Sequence, residues 1–311
     1  MSSPIVTAFD QESTAAEVIS GVNLDGKRVV ITGASSGIGV ETVRALASAN
    51  AEVTLAVRNP VAGREVARKL TESTGNGKIL VEELELTSPA TATAFVDRWE
   101  GPIHILINNA GIMAAPLSRT TEGWEIQLAT NHIGHFLLTT RLRSALAKAK
   151  GARVITLTSP AHIANPVNFD DLNWNDREYN TWAAYGEAKS ANVLFAVHAD
   201  QLWSDDGIRV NALSPGSIWT GLQRFLGAED LERLKAAEAS GAAVFKSPEQ
   251  GAATSVLVAS SPQIEGVGGR YFEDCQEAGL NQPGTRTGVA AHAIDPESAE
   301  RLWKVTSELI G

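Results

Sequence analysis

The sequence predicts an α/β fold, a single domain built on a doubly wound parallel sheet of about seven strands flanked by helices. Three observations predict it. Short β-branched runs alternate with longer amphipathic segments along most of the chain. Several of those runs are apolar almost throughout, the pattern of strands buried on both faces. The first run passes through a glycine-rich turn straight into a helical segment, as in a βαβ crossover.

Taken in order, the strand-like runs are RVVIT (28–32), EVTLAV (52–57), KILVEEL (78–84), IHILIN (103–108), RVITLT (153–158) and IRVNAL (208–213). A shorter run, GGRYFE (268–273), is the candidate seventh strand. Amphipathic stretches separate them, such as GVETVRALASA after the first and PVAGREVARKLTES after the second. Strands joined through helices require right-handed crossovers and hence a parallel sheet covered on both sides. The stretch IDPESAERLWKVTSELIG reads as a final amphipathic helix, with Pro296 near its start and Leu302, Val305 and Leu309 on one side. No linker-like composition divides residues 26–311, so they are expected to form one domain. For residues 1–25, an N-terminal extension, the sequence leaves two readings open: a short helix over TAAEVISG docked on the surface, or a tail.

Composition bounds the function. A chain of 311 residues with 43% hydrophobic content can bury a large core. A net charge of −10 argues against a nucleic-acid partner, which needs a basic face. Cys275 is the only cysteine, so no intrachain disulfide forms. The first twenty residues lack the basic start and apolar run of a signal peptide. No run of about eighteen apolar residues marks a membrane span. The expectation is a cytoplasmic protein without a membrane span, either monomer or homo-oligomer.

The turn after the first strand is TGASSGIG, with Gly33, Gly37 and Gly39 in the pattern TGxxxGxG. Glycines permit a tight turn and close approach of backbone to ligand. The helix start that follows offers unpaired N–H groups and a positive dipole end, which suit a pyrophosphate. Ser35, Ser36 and Ile38 complete the turn, the serines adding hydroxyl donors. A dinucleotide fold for NAD usually carries Asp or Glu at the end of the second strand, to hold the ribose hydroxyls. Here the strand ends in Val57, Arg58 and Asn59. A guanidinium instead of a carboxylate favours a 2′-phosphate, and so NADP(H) over NAD(H).

Tyr185 and Lys189 stand four residues apart in YGEAKSANVLF and share one face if that stretch is helical. A free phenol ionises near pKa 10, roughly, and a neighbouring cation is expected to pull it toward the range useful for proton transfer. The histidines of the region, His132, His135 and His162, lack metal-ligand spacing to a carboxylate or cysteine, so no metal is expected.

TGASSGIG, NNAG (108–111), Asn131 in TNHIGHF, Ser159 in ITLTSPAH, YGEAK (185–189) and SPGSIWT (214–220) occur in one order. Together, over residues 24–275, they resemble the short-chain dehydrogenase/reductase family. NHIGHF, FDDLNW (169–174), YGEAKSANVLF and YFEDC (271–275) are similar to its retinol-dehydrogenase-like branch, which includes WW-domain-containing oxidoreductases. The resemblance implies a Rossmann fold and a set of roles. Ser159 holds the substrate oxygen, Tyr185 gives or takes the proton, and Lys189 binds the nicotinamide ribose and lowers the tyrosine pKa. Asn131 positions a water linking Lys189 to solvent. Pro215, Gly216, Ser217, Ile218 and Thr220 line the nicotinamide, while Asn109, Ala110 and Gly111 pass beneath the cofactor. At the end of the third strand the family often has Asp against adenine. This chain has Glu85 followed by Leu86. The segment AHIANPVNFDDLNWNDRE, between Ser159 and Tyr185, is longer than in many members.

The expected activity is NADP-dependent hydride transfer between a nicotinamide and a carbonyl or secondary alcohol of a hydrophobic small molecule, a carbonyl reductase or alcohol dehydrogenase. A substrate lid is expected over about 217–246, where Trp219, Leu222, Phe225, Leu226 and Phe245 supply apolar surface, with Trp219 and Phe225 facing the substrate together with His162. Three alternatives use related folds: a non-catalytic NADP(H)-binding regulator, an NAD-dependent alcohol dehydrogenase, and a nucleotide-sugar epimerase or dehydratase. The last usually shows TGxxGxxG and a larger C-terminal region.

Overall fold

The strands of the computed structural model, which describes residues 4–311, are β1 (Arg28–Thr32), β2 (Glu52–Val57), β3 (Ile79–Glu83), β4 (Ile105–Asn108), β5 (Ala152–Leu157), β6 (Ile208–Ser214), β7 (Ser217–Ile218), β8 (Phe245–Lys246), β9 (Tyr271–Glu273) and β10 (Gln276–Glu277). The helices are α1 (Ala15–Ile19), α2 (Ile38–Ser48), α3 (Pro60–Thr74), α4 (Pro89–Arg98), α5 (Ile126–Leu128), α6 (Gly134–Arg141), α7 (Arg143–Ala147), α8 (Thr181–Trp203), α9 (Ala228–Ala239), α10 (Pro248–Ser260) and α11 (Pro296–Ile310). A π-turn over Ala129–Ile133 joins α5 to α6.

Eight strands form one sheet in the order β10-β9-β6-β5-β4-β1-β2-β3. The seven expected strands are present and parallel. The eighth, β10, turns back antiparallel on β9. The strand order reverses between β1 and β4, and this switch point opens a crevice at the carboxyl ends of the strands. Strands β7 and β8 pair separately and tie together the two ends of the segment 217–246.

Alternation along β1 sends side chains to two cores. Val29 and Ile31 join Val43 and Leu46 of α2, Leu70 of α3 and Val256 and Leu257 of α10 on one face. Val30 joins Phe95, Phe136, Leu137 and Phe195 on the other. Fully burying one such aliphatic side chain stabilises the fold by about 1.5–3 kcal/mol.

The extension contains a helix, and the reason is a cap. Thr14 and Glu17 form a reciprocal capping box that starts α1, whose Ala15, Val18 and Ile19 are buried. The residues before it run along the sheet edge. Ile5 N–H donates to Glu277 Oε2 at 2.9 Å, and Thr7 N–H to Gln276 Oε1 at 2.9 Å. The long segment before α8 is anchored too. Arg177 donates to both carboxylate oxygens of Glu187 on α8 (2.7 and 2.6 Å) while its guanidinium lies 3.5 Å from the Trp174 ring centroid. Helix α11 starts at an Asp295 cap and packs Ala299 and Leu302 on α8 at Ala191 and Leu194. Helix α8 thus holds its register from several sides. No described helix is long and apolar enough to cross a membrane.

Candidate active site

A cavity of about 880 Å³ occupies the crevice, running from the glycine turn after β1 to the start of α8. Its floor is set by glycines. Gly33 and Gly37 adopt positive φ (+69° and +60°). A Cβ at Gly33 would lie 2.7 Å from Ala110 Cα, and one at Gly39 2.8 Å from Asn109 Nδ2. The sequence needs glycine there because the two turns touch. Helix α2 begins at Gly37 with no side-chain cap, so its first N–H groups have no side-chain partner at the cavity wall. Ser35, Ser36 and Ile38 also line the wall. These features fit a pyrophosphate: close backbone approach, uncapped donors and a helix dipole.

Asn109, Ala110 and Gly111 form the opposite wall. Their position is fixed by Thr32, whose Oγ1 accepts the N–H groups of Asn109 and Ala110 at 3.0 Å each. Asn109 Nδ2 returns a bond to Thr32 O at 2.8 Å. Asn108 faces away and donates to Thr139 Oγ1 at 2.9 Å.

Arg58 lines the cavity with its side chain 78% exposed. The carboxylate facing it, Glu85 Oε2, is 3.7 Å from Nε, and the other Glu85 oxygen accepts from Thr87 N and Oγ1. Asn59 and Leu86 share this wall, but the Asn59 Oδ1 is already engaged in capping α3 through Val61 N and Ala62 N. A second guanidinium, Arg224 of the turn Gly221–Phe225, lines the same cavity and went unrecognised in the sequence.

At the inner end, α8 presents Tyr185 and Lys189, both buried and both lining the cavity. Lys189 Nζ donates to Leu157 O at 3.1 Å and lies 5.7 Å from the Tyr185 ring centroid. The Tyr185 phenol is pushed up to about 12 by burial, against which a hydrogen bond with Ser159 pulls down. Burial pushes the Lys189 ammonium down to about 8. The sequence leads to the expectation that the amine acidifies the phenol, whereas the phenol stands above its ordinary value. Desolvation disfavours the phenolate, and the phenol keeps its proton at neutral pH. Ser159 lines the cavity, and its Oγ also accepts from Ala161 N at 3.2 Å. Thr158, the competing hydroxyl, is buried and turned to Tyr271 Oη at 3.3 Å.

Asn131 does not line the cavity. Its amide clasps Ile112, accepting from Ile112 N at 2.9 Å and donating to Ile112 O at 3.0 Å. The amide thereby braces the main chain beside Gly111. His162 departs from expectation. Its Nδ1–H donates to Ser159 O at 2.7 Å and its Nε2 accepts from Ala290 N at 3.1 Å. Both ring nitrogens serve main chain, burial pushes the ring down to about 4, and the residue does not line the cavity. Trp219 and Phe225 are likewise not among the walls. Trp219 stacks on Phe245 at 4.5 Å and bonds Glu238, and Phe225 is 42% exposed. Leu222 and Phe245, expected beside them, do line the cavity, with Met113, Trp182 and Leu234. Trp182 lies three residues before Tyr185, a helical spacing that could have disclosed it. Pro215, Gly216, Ser217, Ile218 and Thr220 close the wall. Thr220 caps the next turn through Leu222 N at 3.1 Å.

Residues 27–230 match the model of the short chain dehydrogenase family. A "Probable oxidoreductase" of Streptomyces antibioticus is 48% identical over 300 residues, covering 93% of this chain and 99% of that one. Mouse "Retinol dehydrogenase 12" is 38% identical over 295 residues, covering 94% of this chain and 89% of that one. Among solved structures, an uncharacterized protein of Mycobacterium paratuberculosis superimposes with TM-score 0.74 at 31% identity, covering 96% and 97% of the two chains. Pseudomonas aeruginosa RhlG, in a complex with NADP, does so with TM-score 0.62 at 26% identity, covering 77% and 91%. The chain belongs to the short-chain dehydrogenase/reductase family, in its retinol-dehydrogenase-like branch, and is an oxidoreductase of that family.

Proposed function

We propose that this protein is an NADP(H)-dependent reductase of hydrophobic ketones or aldehydes, with Tyr185 as proton donor. One observation carries the reading. A protonated, buried phenol, bonded to the Ser159 hydroxyl and one helical turn from a buried ammonium, faces the same cavity as an uncapped helix start and Arg58. When bound, the nicotinamide supplies a hydride to the carbonyl carbon or takes one back from the alcohol.

The chain's own residues manage the oxygen and its proton. Ser159 Oγ and Tyr185 Oη donate hydrogen bonds to the carbonyl oxygen, where negative charge grows as the carbon is reduced. Tyr185 then releases its proton to that oxygen, completing the alcohol and becoming a phenolate. Lys189 stabilises that phenolate through its ammonium, a role its position on the same helix face allows. In the oxidative direction the phenolate takes the proton back. The cofactor preference rests on Arg58 and on the lack of a carboxylate at the end of β2, and a solved relative in complex with NADP supports it. Met113, Trp182, Leu222, Leu234 and Phe245 favour an apolar substrate body. Segment 217–246 serves as the lid.

The test is NADPH consumption by the full chain with a panel of aliphatic and aromatic ketones and aldehydes. Turnover with apolar carbonyls, faster with NADPH than NADH, is expected. Tight cofactor binding without turnover of any of them would instead make the protein a dinucleotide-binding regulator.

A further inference from the structure

Four arginines line one cavity, Arg58, Arg224, Arg233 and Arg286; Arg233 is paired with Asp230, and of the others Arg58 and Arg224 are near enough for one charge to act on the other. Arg58 follows β2, whereas Arg224 sits on the turn Gly221–Phe225, in the segment assigned above as the lid. Arg58 has one long ion pair and Arg224 has none among the described residues. The Arg58 guanidinium has only the 3.7 Å approach of Glu85. Arg224 Nη1 donates to Gly221 O at 2.9 Å, within its own turn, and the guanidinium lies 4.7 Å from the Phe225 ring centroid. Partial burial, and after it the Arg58 charge, holds the Arg224 guanidinium below its usual range. Two like charges turned to one space form a site for a dianion, and guanidinium groups bind phosphate in a bidentate fork.

The turn carrying Arg224 is itself well defined. Thr220 and Gln223 cap it reciprocally, with Thr220 N donating to Gln223 Oε1 at 2.9 Å. It touches the phosphate-binding turn, because a Cβ placed on Gly37 would lie 3.4 Å from Thr220 Cβ. The helix that follows is held more loosely. No residue of α9 is buried, and only Leu231 and Leu234 lean on the cluster of Met113, Tyr185 and Leu226. A ligand that grips Arg224 therefore acts on the turn that leads directly into α9, a helix with no buried residue.

We propose that Arg224 shares the cofactor's 2′-phosphate with Arg58, and that this shared phosphate draws segment 217–246 down over the substrate pocket. The inference rests on the NADP(H) reading given above and adds a consequence to it. Cofactor choice and closure of the substrate site become one event. The phosphate that distinguishes the two dinucleotides is also the group that fastens the lid.

The experiment is calorimetric titration of the full chain with 5′-AMP, 5′-ADP and 2′,5′-ADP, on the wild type, Arg58→Ala, Arg224→Ala and Arg224→Lys. Limited trypsin digestion at Arg233 and Lys235 of α9 follows lid closure. The wild type is expected to prefer 2′,5′-ADP over 5′-AMP. Arg58→Ala and Arg224→Ala should each cut affinity for 2′,5′-ADP by about tenfold or more while 5′-AMP and 5′-ADP are little changed. Arg224→Lys should recover part of the loss, since it keeps the charge without the fork. The bisphosphate should protect α9 from trypsin in the wild type and not in Arg224→Ala. If Arg58→Ala weakens 2′,5′-ADP but Arg224→Ala does not, the shared clamp is overturned and the NADP(H) reading stands. If Arg224→Ala weakens 5′-ADP as much as 2′,5′-ADP, the arginine reads the pyrophosphate and the clamp is again overturned. If the wild type binds 5′-AMP and 2′,5′-ADP equally, the NADP(H) reading falls with it. Arg224 is exposed, so its variants should fold; circular dichroism checks that they do.

Discussion

Thr32 donates its hydroxyl hydrogen to His135 Nε2 at 2.8 Å. The direction follows from the other ring nitrogen. His135 Nδ1 lies 3.0 Å from the Asn131 carbonyl, which only accepts, so Nδ1 carries the proton and Nε2 is the acceptor. The Thr32 oxygen is then free to take the two N–H groups of Asn109 and Ala110. One threonine therefore ties β1, the turn after β4 and the π-turn bearing Asn131 into one buried network.

Thr32→Val keeps the shape and removes all three bonds. Asn109 N–H keeps its bond to Ile107 O at 3.0 Å, so Ala110 N–H and the His135 Nε2 acceptor lose their partner; at about 1–3 kcal/mol per unpaired group, a loss of stability of about 2–6 kcal/mol is expected by urea denaturation. KM for the cofactor should rise more than kcat falls, because the displaced turn is a cofactor wall.

Tyr185→Phe removes the proton donor and leaves the helix packing intact. Reduction should slow by about 1000-fold or more while cofactor affinity, read by fluorescence titration, stays within about threefold. Activity near the wild-type level would exclude Tyr185 from the proton transfer.

Arg58→Asp reverses the charge at the end of β2. The ratio of kcat/KM for NADPH over NADH should fall by about 100-fold, with most of the change in the NADPH value. An unchanged ratio would mean that this guanidinium does not read the phosphate.

Three buried histidines set the acid limit of the fold. Burial pushes His132 and His162 down to about 4 and His135 to about 3, whereas in the unfolded chain they titrate at about 6.5. The unfolded state then binds more protons, so stability is complete above about pH 6.5 and declines as pH falls toward 4. Each histidine contributes up to about 1.4 kcal/mol per pH unit within that window. His132→Gln should flatten the decline in urea midpoint between pH 7 and pH 5. An unaltered slope would mean that His132 does not contribute to it.

Much of the fold is legible in the residues, for a reason visible in the sheet. Runs such as RVVIT and EVTLAV are central and buried on both faces, so their composition marks their ends, and β1 and β2 begin and stop where the runs do. Strand β4 starts later than its run, because Ile103 is buried before pairing begins at Ile105. Strand β10 carries no signal at all. It is two polar residues that pair because Asp274 and Cys275 take left-handed backbone angles (φ 50° and 61°) and fold the chain back. The site divides the same way. The glycine turn and the Tyr185–Lys189 pair depend on local spacing, which a sequence displays. His162 and Arg224 depend on partners far along the chain. The His162 ring is held by Ala290, and nothing near residue 162 tells which way it turns. Arg224 gains meaning only when its turn folds back beside Arg58.

The anchoring of Ile5 and Thr7 on β10 has a bearing on how these molecules behave in a crowd. Ile5 and Glu277 also exchange a main-chain bond, Glu277 N to Ile5 O at 3.2 Å. An uncovered strand margin is a template on which foreign chains can polymerise. Here the chain lays its own leading residues along that margin, so protection from self-association on that side comes from a stretch remote from any chemistry.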